Sequence, residues 1–271
     1  MNNPKISVVM PNYNCEAFLP EAIESILNQT FENFEFIIID DGSTDNSWEI
    51  IKKYSQEDSR IIALRNEKNL RICETLNRGI KISKGKYIAR MDSDDIALHD
   101  WLSTQFQFME DSNNLKIGVC GANFFIINAK GEIVGKKTFP ETNQQCREAF
   151  WFRNPFGHNT VLIRKECFNE FGFYDENFIY AEDLELWMRF GQKYELHNSQ
   201  AYLLKYRIFG GNSMLTRQKQ MVKSTLKARK KAGCDYGYKI SIKGRIFFFL
   251  TWLVQFLPPT FVFYVFNFFK K

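Results

Sequence analysis

Phe36-Ile37-Ile38-Ile39 is apolar at every position, and a strand apolar on both faces has to lie inside a sheet that helices cover on either side. The segments around it agree. Residues 6–10 read as an earlier strand, after which Phe18, Ala22, Ile23, Ile26 and Leu27 recur at helical spacing. The strand over residues 34–39 runs into a turn and capping cluster, Asp40-Asp41-Gly42-Ser43-Thr44-Asp45, before a second amphipathic segment with Trp48, Ile50, Ile51 and Tyr54. Residues 61–64 predict a third strand, 72–82 a third helix and 86–91 a fourth strand. This β-α-β-α-β-α-β order predicts an α/β fold with a mostly parallel central sheet flanked by helices, on which ligands bind beyond the carboxyl ends of strands.

Two acidic clusters fall at such ends. One contains Asp40, and the other is Asp92-Ser93-Asp94-Asp95, directly after the fourth strand. Hard divalent ions such as Mg²⁺ or Mn²⁺ take oxygen ligands, commonly one or two carboxylates with substrate phosphates completing the shell. The cluster therefore suits a metal–diphosphate site. It also suits a solvated acidic turn capping a helix expected to begin near Leu98.

The ordered set Ser7-Val8-Val9-Met10-Pro11-Asn12-Tyr13-Asn14, Ile38-Ile39-Asp40-Asp41-Gly42-Ser43-Thr44-Asp45 and Met91-Asp92-Ser93-Asp94-Asp95 resembles the successive signatures of family 2 glycosyltransferases, which have the GT-A (Rossmann-like) fold. The resemblance extends to about residue 210. It implies transfer of a sugar from a nucleotide diphosphate to an acceptor hydroxyl, with inversion. By it, Pro11, Tyr13 and Asp40 hold the nucleoside, with Asp40 accepting a hydrogen bond from the base. Asp92 and Asp94 match the DxD pair that binds Mg²⁺ or Mn²⁺, Asp94 being the direct ligand and Asp92 also reaching the nucleotide. Glu182-Asp183 matches the acidic pair opening a helix in the acceptor half, with Asp183 as the general base; an ordinary pair of first-turn acids is the plainer reading. Where the family commonly has Asn-x-Gly, this chain has Asn69-Leu70-Arg71. Arg71 is either a diphosphate or base contact or a solvated helix-start residue. His158, in the loop before a strand at 161–163, is either a substrate-lining group or a hydrogen-bonded structural one, and Glu182 is a second candidate for lining the substrate site. Trp151, Phe152 and Trp187 are expected to pack in the core.

Residues 1–215 are expected to form the catalytic domain, with a nucleotide half to about residue 97 and an acceptor half over 98–215. The six cysteines show no CxxC spacing and read as reduced, cytosolic thiols. No secretory signal, P-loop, GxGxxG or HExxH is found. The tail, 216–271, differs in composition. From Arg217 onward twelve Lys and Arg face one acid, Asp235, in a chain of net charge +5, so the rest is net negative. Residues 246–269 carry no charge and are rich in Phe.

A basic stretch beside an aromatic one suits an anionic membrane surface. Nucleic acid would not need the apolar run. Pro258-Pro259 divides that run, and cations flank both sides of it. An interfacial or re-entrant helical pair on the cytoplasmic face is the leading expectation, beside a kinked span or a core or dimer contact. The expected donor is a UDP-hexose or UDP-N-acetylhexosamine, and the acceptor a lipid-linked or surface glycan, as in capsule, O-antigen or lipopolysaccharide assembly. A catalytically silent binding subunit and a transferase to polyprenyl phosphate are the alternatives.

Overall fold

The computed structural model describes residues 3–209, 214–254 and 256. Strands β1 (Ile6–Asn12), β2 (Phe34–Asp40), β3 (Ile61–Arg65) and β4 (Tyr87–Arg90) alternate with helices α1 (Leu19–Leu27), α2 (Ser47–Glu57) and α3 (Arg71–Ile82). They pair in parallel in the order β3-β2-β1-β4. Every residue of β1 and β2 is buried. Alternate side chains go to opposite faces: Val8, Met10, Phe36 and Ile38 pack with Ile23 and Ile26 of α1, while Val9, Ile37 and Ile39 pack with Leu76 and Ile80 of α3. Gly79 lets α3 lie close to the sheet, since a Cβ there would come within 2.7 Å of Ile39 Cδ1.

Beyond β4 the sheet becomes mixed. The later elements are β5 (Ile96–Ala97), α4 (Trp101–Glu110), β6 (Ile117–Ile127), β7 (Ile133–Lys137), α5 (Asn143–Ala149), β8 (Leu162–Arg164), α6 (Lys165–Phe171), α7 (Glu182–Phe190) and β9 (Glu195–Arg207). The sheet continues β4-β8-β6-β9-β5, with β8 antiparallel to both neighbours, β6 parallel to β9, and β7 paired to β6. The helix expected near Leu98 starts at Trp101. Ile96 and Ala97 are drawn into the sheet opposite Lys205 and Leu204, and Leu98 N–H donates to Leu203 O at 2.9 Å. Two residues are too few to show a periodicity, so this strand has no signature of its own.

Two further helices, α8 (Met214–Cys234) and α9 (Ile242–Val254), follow. The inner face of α8 belongs to the core through Ala228 and Ala232, and Lys231 pairs with Asp175 at 3.1 Å and with Glu185 of α7 at 3.0 Å. α9 exposes Ile242, Ile246, Phe249 and Leu250. Among the described residues no helix is long and apolar enough to cross a membrane. The Pro258-Pro259 break and the flanking Lys270 and Lys271 lie outside the described residues.

Arg164 joins the two halves of the sheet. It is buried, and its guanidinium donates to Ile117 O (2.7 Å), Met109 O (2.7 Å) and Tyr87 Oη (2.8 Å). Tyr87 in turn donates to Glu110 at 2.6 Å. Arg164→Met keeps the volume but strips donors from buried carbonyls, and is expected to cost about 3 kcal/mol. Urea unfolding checks this; a loss below about 0.5 kcal/mol would remove Arg164 from that role.

Candidate active site

Positions two apart on a strand share a face, so the end of β4 brings Arg90 and Asp92 together. Arg90 Nη1 and Nη2 donate to the two Asp92 oxygens at 2.6 and 2.5 Å. Asp95 is fully buried and accepts from Asn159 Nδ2 and from Arg207 N–H (2.8 Å). Arg207 Nε also donates to the Asp94 carbonyl at 2.8 Å. The loop is thus held from β4, from the turn before β8 and from the end of β9. Among the described residues no side-chain donor reaches the Asp94 carboxylate.

Carboxylate oxygens of Asp92, Asp94 and Asp95 lie within 4.8 Å of one another. Burial, and then the charge of Asp92, push Asp94 up to about 6. Burial followed by the charges of Asp92 and Asp94 raises Asp95 well above the usual carboxylate range. Crowded oxygens that resist ionisation for want of a counter-charge are suited to a hard divalent cation, which would reverse those shifts. Asp94 has the oxygens to hold Mg²⁺ or Mn²⁺, and Asp92, though Arg90 takes both its oxygens, is still 30% exposed, whereas Asp95 is fully buried with both oxygens on protein donors.

The second acidic set opens α7. Ala181, at its N-terminus, has φ 60°. Asp183 accepts from its neighbour's N–H, Leu184, at 2.7 Å and from Asn154 Nδ2. Burial raises the Asp183 pKa, while these two donors favour its ionised form. Glu182 is raised to about 8, by burial first and the Asp183 charge second. His158 Nδ1 lies 4.0 Å from Glu182 Oε1, and His158 Nε2 shares a 2.7 Å hydrogen bond with Tyr174 Oη. Burial holds His158 well below its ordinary 6.5. The His158–Glu182 contact is therefore one of two neutral groups at pH 7, not an ion pair. The Arg90 charge lowers Asp94, Glu182 and Asp183 alike, and adjacent residues of one turn, His158 and Asn159, reach Glu182 and Asp95, so the two acidic sets lie close together.

A third group of candidates lies at the ends of β1 and β2. Asp40 is fully buried and accepts from Asn12 Nδ2 (3.1 Å), Ser43 N–H (3.3 Å) and Arg65 Nε (3.2 Å). Beside it a cleft of about 550 Å³ is lined by Gly42, Ser43, Thr44, Arg65, Asn66 and Glu67. Pro11 is buried and Tyr13 half exposed. Cys15 joins this group to the Asp92–Asp95 loop, with Sγ 3.4 Å from Ser93 O and its N–H donating to Ser47 Oγ.

Arg71 starts α3 with an exposed side chain and φ 71°. The left-handed backbone gives the physical reason a glycine suits this place. Asp41 holds it there, accepting from Leu70 N–H (2.8 Å), Arg71 N–H (3.0 Å) and Asn66 Nδ2 (2.7 Å). Among the described residues the non-glycine positive φ values fall at Asn14, Arg71 and Ala181, each beside or at a candidate residue, where backbone strain tends to gather.

Several positioning residues escaped the sequence. Arg90 had a signal, its two-residue spacing from Asp92 on a strand. Asn154, Asn159 and Arg207 had none, because their partners are brought near only by the fold.

Residues 7–184 match the family model described as Glycosyl transferase family 2. The chain is 36% identical over 275 residues to an uncharacterized glycosyltransferase of Methanocaldococcus jannaschii, covering 97% of this chain and 92% of that one. It is 31% identical over 247 residues to the UDP-Glc:alpha-D-GlcNAc-diphosphoundecaprenol beta-1,3-glucosyltransferase WfaP of Escherichia coli, covering 87% and 93%. Among solved structures it resembles S. aureus TarS 1–349 in complex with UDP-GlcNAc (TM-score 0.67, 20% identity, 86% of this chain and 68% of that). It also resembles the mannosyltransferase PcManGT of Pyrobaculum calidifontis in complex with GDP-Man and Mn²⁺ (TM-score 0.68, 12% identity, 97% and 72%). At such identities the likeness is one of fold. The chain spans 39% of a longer TarS chain.

The raised pKa of Glu182 has a measurable consequence. Unfolded, the group titrates near 4.5, and folded near 8. Its proton is held more tightly in the folded state, so its contribution to stability is full below pH 4.5 and is lost as pH rises through about 8. Glu182→Gln mimics the protonated group. Its Tm relative to the unsubstituted protein is expected to climb with pH across that window and level off above it; a difference independent of pH would contradict the assignment.

Proposed function

The chain belongs to glycosyl transferase family 2, and on that premise we propose that it transfers a hexose or N-acetylhexosamine from a UDP-sugar to a hydroxyl of a lipid-linked or surface glycan acceptor, with inversion. The observation that carries this reading is the clustering of the Asp92, Asp94 and Asp95 oxygens beside a turn whose His158 and Asn159 reach the Glu182 and Asp95 carboxyls. One set has oxygens for a metal and the other a base.

In this reading the diphosphate lies over Asp92 and Asp94, and a bound Mg²⁺ or Mn²⁺ supplies the Lewis acidity that neutralises the departing nucleotide. Asp40 accepts a hydrogen bond from the base, Pro11 and Tyr13 flank the nucleoside, and the exposed Arg71 contacts the diphosphate or base. Asp183 takes the proton of the acceptor hydroxyl as that oxygen attacks the anomeric carbon. Asn154 orients its carboxylate. Glu182, kept neutral by burial, spares Asp183 a second negative neighbour; two acids whose environments push their pKa values apart are assigned different roles. His158 and Glu182 line the substrate side. Two neutral groups 4.0 Å apart, with His158 fastened to Tyr174, fit orientation of sugar hydroxyls rather than proton removal.

Apposition to an anionic bilayer at its cytoplasmic face belongs to the same proposal. The apolar side chains exposed along α9 and the cations of α8 support it. The relative WfaP, whose name specifies a diphosphoundecaprenol-linked acceptor, supports a lipid-carried acceptor with a free hydroxyl. Transfer to a polyprenyl phosphate would present an oxygen already anionic and make Asp183 dispensable.

A panel of nucleotide sugars, assayed for Mn²⁺-dependent thermal stabilisation and hydrolysis, tests the donor without an acceptor. Asp94→Asn is expected to abolish the Mn²⁺-dependent part of the stabilisation by a UDP-sugar. Asp183→Asn is expected to keep that stabilisation and lose about 10²- to 10⁴-fold in transfer. Unchanged turnover in Asp94→Asn would sink the metal assignment, and unchanged turnover in Asp183→Asn would redirect the acceptor to a phosphate.

A further inference from the structure

Between α8, the turn after it and α9 lies a pocket of about 570 Å³, away from the site described above. Four cations line it: Arg229, Lys230, Lys239 and Arg245. Among the described residues none of the four has a carboxylate within ion-pair distance. Lys231, the next residue along α8, shows the contrast, being paired with both Asp175 and Glu185.

Arg229 is the informative member. It is only 3% exposed. Its single hydrogen bond among the described residues runs from Nε to Phe150 O at 2.9 Å, and its guanidinium lies 5.6 Å from the Phe247 ring. Desolvation alone pulls its pKa down to about 10. A charge buried without a counter-charge is a cost that folds seldom carry unless a ligand supplies the opposite sign. Guanidinium and ammonium groups converging on one cavity are the usual chemistry for phosphate. Ile240 and Phe248 form the apolar part of the wall, and Phe248 continues into the exposed face of α9.

We infer that this pocket is a phosphate-binding site, filled by the headgroup phosphate of an acidic lipid or by a soluble phosphate ester. The apolar helix at its mouth favours the lipid. The inference rests on the membrane reading only for that choice of source, not for the chemistry of the pocket. Because α8 is fixed to α7 through Lys231 and Glu185, and Phe152 of the loop leading to Asn154 touches Phe247 of α9 at 5.4 Å between ring centroids, a headgroup held here would sit against the elements that position Asp183.

The full chain is tested for binding to phosphatidylcholine vesicles with and without phosphatidylglycerol, and for thermal stabilisation by inorganic phosphate against chloride at equal ionic strength. Lys239→Gln and Arg245→Gln remove pocket charges. Lys223→Gln and Lys243→Gln remove the same charge from exposed positions outside the pocket. Arg229→Met is added if it folds, and the exposed pocket variants carry the test if it does not.

For a lipid ligand, the pocket variants are expected to lose about tenfold or more of the phosphatidylglycerol-dependent affinity, against about fivefold or less for the outside variants. For a soluble ligand, phosphate raises the Tm of the unsubstituted protein and of the outside variants but not of the pocket variants. Equal losses in both pairs of variants, together with no pocket-dependent phosphate shift, overturn the site. Failure of the unsubstituted protein to bind any vesicle would sink the membrane reading alone, since the phosphate arm still judges the pocket.

Discussion

The site turns on Arg90. It is a buried cation on a central strand, bonded through both terminal nitrogens to Asp92 and close enough to Asp94, Glu182 and Asp183 to lower the proton affinity of each. Five carboxyl groups gather here, and without a local positive charge most of them would be driven to the neutral state. Arg90 is too small a counterweight for all. The groups divide: Asp92 is held as its partner, while burial and neighbouring acids raise Glu182, Asp95 and Asp94 above the usual carboxylate range. A protein that crowds acids beyond what its own cations balance is built for a cationic ligand.

The same accounting explains the joints of the fold. β8 enters the sheet beside β4 and carries Arg164 inward to the carbonyls of α4 and β6. Arg207, at the end of β9, reaches back to the Asp94 carbonyl and pairs with Glu21 of α1. Glu185, buried in α7, binds Arg189, Lys231 and Tyr236. Each of these interior charges is met by groups from another segment and fastens it.

Much of the first half could be read directly. The apolar run at residues 36–39, the helical spacing on either side of it and the acids at strand ends reproduce β1 to β4 with their helices, since a buried parallel sheet leaves its mark on every residue. The second half was less legible. β5 is two residues long, β8 three, and both owe their existence to strands elsewhere in the chain. Arg71 was visible as a departure, but its left-handed backbone and the Asp41 carboxylate that fastens it were not. Glu182 and Asp183 stood side by side in the sequence, told apart there by the family resemblance and not by any burial or hydrogen-bond partner.

The sequence by itself determined the α/β alternation, the placing of carboxylates at strand ends, and the contrast between a net-negative body and a basic, aromatic tail, because periodicity and charge are local properties of a chain. Tertiary structure alone decided which carboxyls are buried and crowded, which arginine answers them and which cations of the tail, among the described residues, are left unpaired. Those outcomes depend on burial and on neighbours from distant segments, Asn154 against Asp183, Asn159 against Asp95, Lys231 against Glu185, and no residue holds that information until the chain has closed around it.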